Sequence, residues 1–137
     1  MVSISVVERV SVADGPSWTL DVDLEPDAYV VSEATLARHG QAGDRVEVTL
    51  VPAGVSVTLL AVSAVDETGR PAVVRVTPRG DVDGAPLAVH GALLLANADV
   101  VGGLVPVGGP VQVLDLVNDG TAAISVRVLA AFDELDG

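Results

Sequence analysis

Carboxylates recur at every second position in Asp21, Asp23 and Glu25, and the row continues to Asp27. On a strand such spacing sends the side chains to one side, where their oxygens could meet a hard cation such as calcium. A calcium loop, however, wraps its oxygens around the ion through a glycine-permitted turn, and none interrupts this row. A solvated strand face therefore competes with the metal reading, and Asp21, Asp23 and Glu25 are the only metal candidates carried forward. Asp81-Val82-Asp83-Gly84 is a second acidic turn of the same kind. The two histidines, His39 and His90, stand far apart, and neither belongs to a pair four residues apart on a helix face. No base is marked for any serine or threonine nucleophile. Nucleophile-elbow, phosphate-loop and dinucleotide patterns are missing, and the pair Gly108-Gly109 leads into a strand at Val111 rather than into a helix N-terminus. No catalytic residue and no cofactor are expected.

The elements that would position these groups are mostly strands. Val2, Ile4 and Val6 alternate with serines; Val7-Glu8-Arg9 breaks the pattern and suggests a bulge or a change of face before Val10 and Val12. After a turn at Asp14-Gly15-Pro16, Trp18, Leu20, Val22 and Leu24 alternate with Thr19, Asp21, Asp23 and Glu25, the pattern of a half-buried strand. One short helix is expected from Ser32 as N-cap through Glu33, Ala34, Leu36 and Ala37 to Arg38, His39 and Gly40. In that reading His39 sits at the carbonyl end of the helix, where a cation is favoured. Strands resume at Arg45–Val51, Val55–Val65, Ala72–Thr77 and Leu87–Ala96, the last holding a half-buried His90. A closing hairpin joins Val111–Val117 to Ala122–Leu129 through Asn118-Asp119-Gly120, with Ile124, Val126 and Val128 inward. Turn signals at this spacing indicate an all-β fold, an antiparallel sandwich or barrel of eight or nine strands, forming one domain over residues 1–137 with a frayed acidic tail from Asp133 to Gly137.

Composition narrows the partners. The formal charge is −12, and the seven basic residues are all arginines spread along the chain. Such a surface repels phosphate backbones, so no nucleic acid is expected as a partner. The lack of lysine fits codon bias in a GC-rich source or adaptation to high salt. The chain has no cysteine, so disulfides and thiolate metal sites are excluded. Val2–Val12 lacks the form of a signal peptide, and the apolar stretch Val100–Val117 is broken by glycines, prolines, Gln112 and Asp115, so no membrane association is expected and the compartment stays open.

The segment Val31-Ser32-Glu33-Ala34-Thr35-Leu36-Ala37-Arg38-His39-Gly40, followed by Ala42-Gly43-Asp44-Arg45-Val46-Glu47-Val48, resembles the short helix and Gly-Asp-x-Val strand start of swapped-hairpin AbrB-like transcription factors and related double-psi barrels. The resemblance implies a dimeric DNA-binding regulator or a barrel enzyme. That family's basic N-terminal surface has no counterpart here, and no functional residue is carried over. In architecture the chain is also similar to small β-sandwich accessory proteins of virus particles, an analogy without a defining motif.

Trp18, Tyr29 and Phe132 are the only aromatic residues, so Val, Leu, Ile and Ala must build the core, and there is more of this surface than a domain of this size buries alone. A noncatalytic structural or interaction protein is expected, self-associating and contacting other proteins of a virion or comparable assembly. The expected interface residues are Leu87, Val89, Leu93 and Leu95 in one apolar run and Val100, Val101, Leu104, Val105 and Val107 in the next. The alternative is a sugar- or cation-binding module, using Trp18 and Tyr29 as aromatic platforms or the Asp21, Asp23 and Glu25 face.

Overall fold

Valine-rich segments with alternating polarity become strands because branched side chains pack well on a pleated surface. The computed structural model describes residues 2–50, 55–97, 100, 101, 103–105 and 111–134. Ten strands run through them: β1 (Ile4–Ser11), β2 (Ser17–Leu24), β3 (Ala28–Leu36), β4 (Arg45–Thr49), β5 (Val55–Asp66), β6 (Val73–Arg79), β7 (Leu87–His90), β8 (Ala92–Leu95), β9 (Val113–Val117) and β10 (Ile124–Glu134). The fold is all-β with antiparallel pairing. One four-stranded sheet has the order β3-β10-β5-β8, the other β4-β9-β6-β7, and β1 and β2 form a separate two-stranded ribbon.

The two four-stranded sheets share one aliphatic core. Leu36, Leu60, Val62, Val126 and Val128 from the first meet Val74, Val76, Leu114 and Leu116 from the second. As expected, Ile124, Val126 and Val128 point inward while Ser125 and Arg127 face solvent. A β-bulge shifts the β5–β10 register between Ala131↔Leu59 and Phe132↔Val57. Through it Val57 enters the main core while Leu59, two residues on, is buried on the opposite side of the sheet.

Within these two sheets, only the β6–β7 step joins consecutive strands of the same sheet; every other step between consecutive strands changes sheets. This overturns the expected closing hairpin. Val113–Val117 pairs with β4 and β6, Ile124–Glu134 pairs with β3 and β5, and Asn118-Asp119-Gly120 is the corner between them. The expected run Leu87–Ala96 likewise divides at Gly91, where φ of +86° turns the chain from β7 in one sheet to β8 in the other.

Two further expectations give way. The helix expected over Ser32–Gly40 is strand β3 up to Leu36, because pairing with β10 (Val126↔Ala34, Arg127↔Glu33) overrides the local helix preference. Helical backbone among the described residues lies at Val100 and Val101 instead. No bulge interrupts Val7-Glu8-Arg9, since β1 keeps unbroken register with β2 from Ile4↔Leu24 to Ser11↔Ser17. Of the tail expected to fray, Asp133 and Glu134 belong to β10 and Asp133 accepts a hydrogen bond from the Asp27 backbone N–H at 3.0 Å, while 135–137 lie outside the described residues.

A Cβ on Gly91 would stand 2.9 Å from the Pro71 Cβ, whereas one on Gly69, also at positive φ (+83°), would meet nothing within 4 Å. Gly69→Ala should therefore cost about 1 kcal/mol, the conformational penalty alone, and Gly91→Ala about 2 kcal/mol or more. Urea denaturation of both variants checks the difference.

Candidate functional site

The two outer faces of the sandwich differ in chemistry. On the β4-β9-β6-β7 side, charges pair across strands. Buried Asp115 on β9 receives Arg45 Nε at 3.0 Å and its Nη2 as well, while Arg79 bonds Glu47 and lies 3.8 Å from Asp83. The Asp115 hydrogen bond and charge raise the Arg45 pKa still further. Arg75 meets Asp119 at 3.3 Å.

The outer face of the β3-β10-β5-β8 sheet is divided. Register places Glu33, Arg127 and Ser63 in one row, where Arg127 bonds Glu33 at 2.8 Å and 2.7 Å. The next two rows are apolar: Val31, Leu129, Ala61 and Leu94, then Tyr29, Ala131 and Leu59.

The β1–β2 ribbon lies on these apolar rows. Directly opposed residues of an antiparallel pair share a face, so Ile4/Leu24, Val6/Val22, Glu8/Leu20 and Val10/Trp18 face one way, and Ser5/Asp23, Val7/Asp21 and Arg9/Thr19 the other. The basal half of the first face, Ile4, Val6, Val22 and Leu24, packs with Leu59, Ala131, Leu94 and Leu129 in a second cluster. The distal half has no such support: Val10 is 56 % exposed, Trp18 60 % and Leu20 51 %. From Val7 to Asp21 both faces are open, so the ribbon stands off the body as an arm. At its tip Asp14 takes φ of 58°, and the Gly15 N–H donates to the Val12 carbonyl at 2.9 Å. On β3, Tyr29 and Val31 are also about half exposed.

A cleft of about 630 Å³ opens at the corner between the sheets, lined by Asp66, Pro71, Arg75, Leu87, Asn118 and Asp119 among others. Asn118 organises it. Only 1 % exposed, it donates to the carbonyls of Ala37 and Ala122, both at 2.9 Å, and accepts from the Gly120 N–H at 2.9 Å. Asp66 caps its own turn by accepting from the Thr68 hydroxyl and the backbone N–H groups of Thr68 and Arg70, which holds its carboxyl below the ordinary 3.8.

Asp21 and Asp23 share the polar face of the ribbon, where Asp23 accepts from the Ser5 hydroxyl at 3.0 Å, and Glu25 lies just beyond β2. Among the described residues no three His, Asp or Glu side chains gather as a metal-binding group. His39 follows a strand, not a helix. Its Nδ1 lies 3.9 Å from both Asp44 and Asp119, outside hydrogen-bond reach, and its side chain is 65 % exposed. His90 is exposed on edge strand β7, not half-buried.

The expected interface residues separate. Val89, Val101 and Val105, expected at an interface, are buried in the chain's own core, where their apolar area is covered within this chain. Leu93, Leu95 and Leu104 pack partly against that core, Leu87 lines the cleft, Val100 is 51 % exposed, and Val107 lies outside the described residues. Sequence reasoning missed the arm, because its alternation is identical to that of a strand lying on a core.

No family model matches the chain, and no curated protein matches it. Among solved structures it is similar to a chain of the Cyanophage Pam1 capsid asymmetric unit, at 21% identity over 79% of this chain and 85% of that one, with a TM-score of 0.34.

Two measurements test the corner. Asn118→Ala should lower unfolding stability by about 1–3 kcal/mol, since two carbonyls and an N–H lose their partner in part-buried hydrogen bonds. Because the folded pKa of Asp66 lies below its unfolded value, its contribution is complete above the unfolded value and disappears as pH falls through the folded one. Asp66→Asn should therefore be less stable than the parent at neutral pH and converge with it in acid, as followed by thermal melts across pH.

Proposed function

We propose that this chain is a noncatalytic structural or interaction protein that self-associates as an accessory or decoration component of a virion or a similar large assembly. The observation that supports this reading is the arm. Its apolar face continues past the body, leaving Val10, Trp18 and Leu20 half or more exposed on a ribbon of only two strands. Such ribbons are marginal in water unless a further strand or packed surface supports them, and exposed apolar patches of this kind mark protein contacts. The ion-paired opposite side of the sandwich carries its charges in satisfied pairs, which suits a surface facing solvent.

The experiment is sedimentation of the purified full chain over about a hundredfold range of concentration, at low and high salt, because association makes the mass concentration-dependent. A mass above that of the monomer, rising with concentration and with salt, is expected, since screening relieves repulsion between acidic copies. A monomer under every condition overturns self-association.

A further inference from the structure

We infer that the distal arm of one copy docks on Tyr29 and Val31 of a second copy, and that the second copy's arm returns the contact. The inference rests on the self-association proposed above and names the surfaces that carry it. The chain itself already displays this contact between two surfaces. The basal half of the ribbon's apolar face covers Leu59, Leu94, Leu129 and Ala131, which lie in the two apolar rows of the sheet's outer face. Those rows continue onto β3 as Tyr29 and Val31, 53 % and 51 % exposed. The ribbon's face continues as Leu20, Trp18 and Val10, with Glu8 on the same face opposite Leu20. The distal arm and the surface of Tyr29 and Val31 are thus each the uncovered extension of one side of a contact the molecule already makes.

A second copy is the occupant that fits both. It supplies a receiving surface for the arm and an arm for the receiving surface, and a two-fold pair satisfies all four at once. Charge modulates the contact. Ribbon residues Glu8, Asp14, Asp21 and Asp23 outnumber Arg9, and the chain as a whole carries −12, so copies repel at low ionic strength and associate more tightly as salt is added.

Trp18 is the only tryptophan in the chain, so its emission reports arm burial directly. In the full-length protein, emission should shift to shorter wavelength over the same concentrations at which the mass rises. W18S/L20S in the arm and Y29S/V31S on β3 should each raise the dissociation constant at least about tenfold, as expected for anchors in a protein contact, with melting of the dilute monomer little changed. An equimolar mixture of the two variants should associate more tightly than either alone, because one intact arm then faces one intact receiving surface. Wild-type oligomers with unshifted Trp18 emission, or variants that associate as the parent does, overturn the arm exchange while leaving self-association standing. If W18S/L20S fails to associate but Y29S/V31S behaves as wild type, the arm docks elsewhere and the inference is overturned. A wild-type monomer throughout overturns both.

Discussion

A chain that changes sheets at nearly every connection must satisfy its backbone polar groups at the corners, where neither sheet's ladder reaches them. Asn118 meets that constraint at the β9–β10 corner. Its amide supplies donors to the carbonyls of Ala37 and Ala122, and its oxygen receives the Gly120 N–H. Its own backbone N–H donates to the Asp44 carbonyl, so one buried residue ties the β3–β4 connection to the β9–β10 corner. A hydrophobic residue of similar size would leave these part-buried groups without their partner, which costs more than the net worth of the bonds themselves. The aliphatic core can be as regular as it is because the polar accounting is concentrated at such corners.

Much of this architecture was legible in the sequence. Period-two alternation located the strands closely, from the inward Ile124, Val126 and Val128 to the outward Asp21 and Asp23, and the shortage of aromatics correctly indicated an aliphatic core. What alternation does not encode is which strands are partners. Asn118-Asp119-Gly120 has the chemistry of a tight hairpin turn, yet the same tolerance of unusual backbone angles serves a corner between sheets. Ser32 through Ala37 has a helix cap and helix formers, but β10 offers Ser32 through Leu36 a ladder of hydrogen bonds and a core position for Leu36. Gly91 carried a signal in principle, a glycine inside an apolar run, although the signal does not distinguish a bulge from a change of sheet.

The candidate site was less legible for a related reason. Val101 and Trp18 are both apolar, and nothing local distinguishes the one buried in the main core from the one left in water. Burial is decided by what lies opposite, and for the ribbon that depends on where the outer face of a distant sheet ends. The basal half meets Leu59 and Ala131 and is covered; the distal half extends past them. Even the β5 bulge contributes, since without its change of parity Val57 and Leu59 would share a face and one of the two clusters would lose a residue.

The strand order also dictates how such a chain acquires its shape in time. In each four-stranded sheet an inner position belongs to a late strand, β9 in one and β10 in the other, and β10 pairs with residues as early as Ala28. Neither sheet can be completed until Val113–Glu134 has been synthesised, and loops spanning most of the chain must close before their contacts stabilise anything, the condition for slow folding. The β1–β2 ribbon has no such wait, because its register is local. A two-stranded ribbon is marginal by itself, however, and the part of its landing surface formed by Leu129 and Ala131 is made only with β10. Until β10 is in place the basal half of the ribbon's apolar face lacks part of its cover, and in the finished protein the distal half stays open.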